Sequence, residues 1–182
     1  MPHNRYASAT AVFAMLASVT GFGADAQTQP EPKVSPEHIT RAEATRVVQA
    51  ALEDCVKRGQ PASVVVVDVV GFQRAAFSDD NANAVGLSTS SKKAAVVLAF
   101  KVSTRSLQMR VQSDKQFADQ YGKDERYHFS PGGVPIYKNE GLVAVIAEGG
   151  ARNIDEDCAY AGLKTLSWAA TELPARSSSN NN

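Results

Sequence analysis

The sequence predicts a single α/β domain with a central antiparallel sheet and helices packed against it in an α-β-α arrangement. Three observations lead there. Segments with helical periodicity stand at both ends and in the middle of the chain, while the β-branched runs come in adjacent pairs joined by short turns. Paired runs make hairpins, and hairpins make antiparallel sheets, whereas parallel sheets need a helix between successive strands. Finally, there is no Gly-rich dinucleotide fingerprint, internal repeat or heptad, which removes the main support for a nucleotide-binding or coiled-coil fold.

The elements follow in order. Thr40 with Glu43 three residues later is a capping box, and Ala44, Val47, Val48, Ala51, Leu52 and Cys55 then recur on one helical face. Gly59 and Pro61 stop that helix. The run from Ala62 to Val70 is too short for a helix and too apolar for a half-exposed strand, so it reads as a central strand. Gly71 permits a turn, and Phe72 to Phe77 return as its hairpin partner. After a polar loop, Ser88 to Ser103 reads as a helix and Thr104 to Tyr121 as a second amphipathic stretch. The loop from Gly122 ends in Pro131-Gly132-Gly133. Val134 to Tyr137 and Leu142 to Ala147 then flank Lys138-Asn139-Glu140-Gly141 as a second hairpin. Asp155 opens the last helix, expected to run to about Thr171 with Ile154, Cys158, Ala161 and Leu166 in its apolar set.

Composition fits one ordinary globular domain: 182 residues, 43% hydrophobic, with 19 basic residues balancing 19 acidic ones. That balance lacks the basic footprint needed to neutralise phosphates, which argues against nucleic acid as a partner. The ends read differently from the middle. A basic start at Arg5, an apolar small-residue stretch from Ala9 to Gly23 and the small-x-small pattern Ala24-Asp25-Ala26 predict a signal peptide over residues 1–26. The apolar stretch is shorter than the roughly 20 residues a spanning helix needs, so no stable membrane span is expected. A proline-punctuated flexible lead follows over 27–34, the domain occupies 35–173, and a Ser/Asn-rich disordered tail takes 174–182. Export implies a periplasmic or secreted protein in an oxidising compartment, where Cys55 and Cys158 either join the first helix to the last or remain two separate buried thiols. There is no Cys-x-x-Cys pair, so neither a zinc ribbon nor thioredoxin chemistry is indicated.

A set of short segments resembles a known family. Val65-Val66-Val67-Asp68 with Gly71, Ser90-Ser91-Lys92-Lys93-Ala94, Gly132-Gly133-Val134-Pro135-Ile136, and Gly150-Ala151 before Asp155-Glu156 and Ala161-Gly162-Leu163 are similar, in order and spacing, to the GlcG/HbpS-like proteins. The resemblance runs from Ile39 to Leu166, with Gly-Gly-Val-Pro-Ile its most specific part. It implies a compact profilin-like domain, symmetric homo-oligomers, and binding of haem or another small planar ligand. It also implies oxidative degradation of haem in some members. The family further resembles the C-terminal domain of some corrinoid adenosyltransferases. Departures include Phe77-Ser78-Asp79 where relatives often carry an arginine before the acidic residue, and Glu148 where small or apolar residues are usual.

Haem binding needs an apolar cleft, cations for the propionates and an axial group for the iron. With His3 inside the expected signal peptide, His38 and His128 are the imidazoles left as metal ligands; either also reads as a surface or capping histidine. The resemblance adds Thr104 as a haem contact and iron ligand, although a threonine there equally caps the next helix. Lys93, Arg105 and Arg110 are candidate propionate partners, and Met109 is an axial candidate more often used in packing. Ser90-x-x-Lys93 has a serine-lysine spacing, but the companion motifs of the penicillin-recognising enzymes are absent. Lys93 reads instead as a pocket-edge lysine or as an ion-pair partner of Asp68 or Asp155. Asp68 itself reads first as a turn residue bonding the hairpin backbone. The leading expectation is an exported haem-binding protein that promotes oxidative breakdown of its ligand. The alternative is a small-molecule catabolic enzyme or accessory factor using Lys93, Asp68 or Glu148 as acid-base groups in the same cleft.

Overall fold

A computed structural model of the chain describes residues 37–172. The expected signal peptide (1–26), lead (27–34) and tail (174–182) lie outside the described residues. The order of elements is α1 (Arg41–Lys57), β1 (Ser63–Asp68), β2 (Gln73–Ser78), α2 (Gly86–Phe100), α3 (Thr104–Ser113), α4 (Lys115–Tyr121), β3 (Gly133–Lys138), β4 (Gly141–Gly149), a single 3-10 turn (Arg152–Ile154) and α5 (Asp155–Leu163). The strands form one antiparallel sheet in the order β2-β1-β4-β3.

Strand alternation divides the core into two layers. Val64, Val66, Val134, Ile136, Ala144 and Ile146 face α1 and α5, packing with Val47, Val48, Ala51 and Leu163. Their neighbours Val65, Val67, Val145 and Ala147 face the other way, against Ala94 and Val97 of α2, Leu107 of α3 and Phe117 of α4. Because both faces are covered, β1 and β4 are buried along their whole length, which is why each reads as a continuous apolar run. Edge strand β2, by contrast, is exposed or half-buried throughout.

Local chemistry sets most element boundaries. The Thr40–Glu43 capping box forms, with the Thr40 hydroxyl accepting from the Glu43 amide and the Glu43 carboxylate accepting from the Thr40 amide. Asp68 closes the first hairpin by accepting from the amides of Val70 (3.1 Å) and Phe72 (2.9 Å), the turn role read from the sequence. Asn139 and Glu140 both adopt positive φ at the second hairpin, the conformation a two-residue turn between twisted strands requires.

Three boundaries differ from expectation. The amphipathic stretch from Thr104 to Tyr121 is two helices, because Asp114 takes an extended conformation and caps α4 by accepting from the Phe117 amide at 3.0 Å. Helix α2 ends at Phe100, where Lys101 turns left-handed and its carbonyl accepts the Tyr137 hydroxyl. Helix α5 ends at Leu163, well short of Thr171. The Thr165 hydroxyl bonds the Gly162 carbonyl there, and the chain returns to the sheet as Ala170 pairs with Tyr137. This return covers part of the β3 edge and docks Trp168, whose indole N–H donates to Glu43 at 3.0 Å.

Cys55 on α1 and Cys158 on α5 are joined by a disulfide, which settles the alternative the sequence left open. The bond lies in a small buried cluster with Ala62 and Ala151. No helix among the described residues is long and apolar enough to cross a membrane.

Candidate functional site

The glycine pair before β3 organises the centre of the molecule. Gly132 has φ +131, and a Cβ there would stand 2.7 Å from the Lys93 Nζ and 2.7 Å from the Asp155 Cβ; one on Gly133 would stand 2.8 Å from the Thr104 Cγ2. Backbone without side chains is what lets the α4–β3 loop lie directly on Lys93 and Thr104.

Lys93 is fully buried, and its ammonium has three donors and three acceptors: the Pro131 carbonyl (2.7 Å), the Glu148 carbonyl (2.7 Å) and the Asp155 carboxylate (2.6 Å). Asp155 also accepts from the Ala151 amide at 2.8 Å. Burial pushes the Lys93 pKa down and that of Asp155 up, and the attraction between the two charges opposes both shifts. Of the two partners weighed from the sequence, Asp155 takes the lysine, while Asp68 lies 3.6 Å from Arg74. Lys93 therefore stands inside the core, tying the middle of α2 to the end of β4, the start of α5 and the α4–β3 loop, and not at a pocket edge.

Thr104 is likewise fully buried. Its hydroxyl accepts from the Gly133 amide at 2.9 Å, and the helix cap expected of it is made instead by Ser103, whose hydroxyl accepts from the Ser106 amide. The cap expected of Thr104 thus falls to its neighbour, because packing of α3 against β3 turns Thr104 inward. Arg105 reaches from α3 to α5 and pairs with the buried Glu156 while half its side chain remains exposed. His38 is exposed just ahead of α1, which packs on one face of the sheet. His128 is exposed in the α4–β3 loop between Tyr127 and Phe129, which pack on the opposite face. The two histidines thus adjoin elements on opposite faces of the sheet.

What the structure does assemble is an aromatic cluster. Phe100 at the end of α2 meets Phe117 (ring centroids 5.2 Å apart), Tyr121 (5.0 Å) and Tyr127 (5.8 Å), all edge to face, and Phe129 meets Phe117 at 6.1 Å. Beside it opens a cleft of about 310 Å³, lined by Phe100, Phe117, Tyr121, Gln120, Arg110 and Asp114 among others. The Arg110 guanidinium sits 4.2 Å from the centre of the Phe117 ring. His128 projects from a loop whose flanking rings belong to this cluster. Its pKa is lowered, first by partial burial and then by the Lys93 and Lys92 charges, which favours the neutral imidazole that can act as a metal ligand. The sequence named Arg110 and His128 but not the rings, since residues 100, 117, 121, 127 and 129 share no single period.

A second feature lies on the α1/α5 side. Glu148, the family departure noted above, is fully buried, and neither of its carboxyl oxygens has a hydrogen-bond partner among the described residues. Desolvation, then repulsion from Asp155, raises its pKa to about 10 against the pull of Lys93. It faces the disulfide and does not line the aromatic cleft.

A three-layer α-β-α domain with an aromatic, arginine-flanked cleft beside an exposed imidazole defines a small-molecule-binding class. Residues 39–164 match the family model described as haem degrading protein HbpS-like, and the chain belongs to that family. Among solved structures it is similar to HbpS (27% identity, TM-score 0.65, covering 76% of this chain and 96% of that one). It is also similar to a double mutant of HbpS from Streptomyces reticuli (25%, TM-score 0.66, covering 87% and 99%). A complex of PduOC with haem shares the fold at 20% identity (TM-score 0.66, covering 75% and 100%). No curated protein matches significantly.

Proposed function

We propose that this protein binds haem at the aromatic cleft lined by α2, α3 and α4, with His128 of the adjoining α4–β3 loop as the iron ligand. The observation that carries this reading is an exposed, neutral-leaning imidazole on the loop that contributes Tyr127 and Phe129 to the aromatic cluster. The donor set fits the group: Phe100, Phe117 and Tyr121 offer the macrocycle ring surfaces in an otherwise polar cleft, Arg110 offers a propionate a cation, and His128 is an ordinary axial donor. Thr104, Lys93 and Gly132-Gly133 form the frame beneath the loop and touch no ligand. The family match and the haem bound by the structural relative PduOC support the same ligand.

Bound haem would supply the redox chemistry with oxygen, including oxidative breakdown of the ring, while the protein orients it and limits access to one face. Export to the periplasm or the cell exterior is part of the proposal, supported by the basic start, apolar stretch and Ala-x-Ala pattern of residues 1–26. Assembly into homo-oligomers is also proposed, supported by the exposed edge strand β2.

The test is a haemin titration followed by absorbance. The parent, His38→Ala and Thr104→Ala are expected to show a saturable one-to-one Soret shift, His128→Ala to lose it, and Arg110→Ala to bind several-fold more weakly. A His128→Ala protein that titrates like the parent would refute the assignment.

A further inference from the structure

The buried Glu148 carboxyl has no place in the haem reading and no hydrogen-bond partner among the described residues. Burying a carboxyl without hydrogen bonds is costly, and an apolar residue would fill the space at no such penalty, so the group calls for an occupant. Its surroundings show which one. A carboxyl oxygen of Glu148 and the sulfurs of Cys55 and Cys158 lie within 4.8 Å of one another, and all three residues are buried. They come from three different elements, β4, α1 and α5, so the arrangement belongs to the tertiary fold and not to any one segment.

We infer that Cys55, Cys158 and Glu148 form a buried site for a zinc-class divalent cation in the dithiol form of this protein, with metal and disulfide as alternative occupants of the same space. Two thiolates and one carboxylate are the ligand set of a borderline-soft, tetrahedral ion; magnesium and calcium require oxygen donors throughout. In the structure the sulfurs are bonded to each other and the site is closed to metal. A phosphine and water open it: the phosphine is oxidised to its oxide, the S–S bond takes up the two electrons, and two thiols form. Binding of the cation then displaces two thiol protons and the Glu148 proton, leaving a fourth coordination position for water. A low-molecular-weight disulfide that takes up two electrons and two protons, leaving as two thiols, oxidises the pair, releases the metal and restores the Cys55–Cys158 bond. The protein thereby carries a cation whose retention depends on the redox state of its surroundings.

The experiment uses the whole chain reduced with a phosphine under argon and titrated with cobalt(II) alone, followed by zinc competition. The reduced parent is expected to show a saturable one-to-one sulfur-to-cobalt charge-transfer band that zinc abolishes, and the oxidised parent to show none. Glu148→Gln is expected to weaken cobalt by at least about tenfold, since loss of even an outer-shell partner typically costs that much. Cys55→Ser is expected to remove the two-thiolate spectrum. The inference is overturned if the reduced parent gives no saturable band, or if Glu148→Gln binds as tightly as the parent. Loss of the native near-ultraviolet circular dichroism on reduction would coincide with the second result, because thiols of an unfolded chain bind without regard to Glu148. Glu148→Asp, which keeps the carboxylate, is expected to recover part of the affinity and separates a ligand from a mere spacer.

Discussion

Replacing Glu148 by glutamine tests the reading of the core through pH. The Glu148 carboxyl is fully buried and its pKa is raised from the ordinary 4.5 to about 10, by desolvation first, then by Asp155 and Asp54, with Lys93 opposing. The folded state therefore keeps a proton that the unfolded chain gives up above 4.5. Stability contributed by this group is complete below the unfolded pKa and is lost as pH rises toward the folded one. At about 1.4 kcal/mol per pH unit, raising the pH from 4.5 to 7 costs the parent on the order of 3 kcal/mol through Glu148 alone. Glu148→Gln removes that slope. The amide stays buried without partners at a penalty of roughly 1–3 kcal/mol, but this penalty does not change with pH. Asp155 and Lys93 titrate in both proteins and cancel to first order. The assay is guanidinium denaturation between pH 4.5 and 8 with the disulfide intact, followed by fluorescence of the single tryptophan, Trp168. The difference in unfolding free energy between variant and parent is expected to shift in the variant's favour by on the order of 3 kcal/mol from pH 4.5 to 7. A difference that stays constant across that range would refute the argument.

Other substitutions probe the frame and the cross-link. Lys93→Met leaves Asp155 buried without its cation and is expected to destabilise the protein by about 3–5 kcal/mol in chemical denaturation; a loss below about 1 kcal/mol would remove Lys93 from its central place. Thr104→Val keeps the shape but deletes the acceptor of the Gly133 amide. It is expected to cost roughly 1–3 kcal/mol while leaving the haemin spectrum unchanged, whereas a changed spectrum would make Thr104 a ligand. The double substitution Cys55→Ser with Cys158→Ser opens a cross-link spanning 103 residues. It is expected to lower stability by about 4–5 kcal/mol, measured as a shift in denaturation midpoint.

The fold was largely legible in the sequence because its signals are local. A capping box at Thr40 and Glu43, an apolar run from Ser63 to Val67 and an Asp68 turn each act within a few residues, and the structure contains all three. The site was legible only in part. His128 and Arg110 were recognisable by residue type, yet Tyr127 and Phe129 beside His128 do not show that Phe100, Phe117 and Tyr121 join them. Thr104 entered as a haem contact through the family resemblance, and Lys93 as a pocket-edge lysine or an ion-pair partner. Only the approach of Gly132 and Gly133 makes them core.

By itself, then, the sequence determined the order of helices and strands, the hairpin pairing and the antiparallel sheet, since periodicity and turn chemistry report which backbone groups bond to near neighbours. The tertiary structure alone decided that Lys93 meets Asp155 across 62 residues, that Cys55 meets Cys158, that α5 stops at Leu163 so Ala170 can pair with Tyr137, and that Glu148 is left facing sulfur. Those outcomes depend on how finished elements stack, and the contacts between stacked elements leave no periodic mark in any one segment.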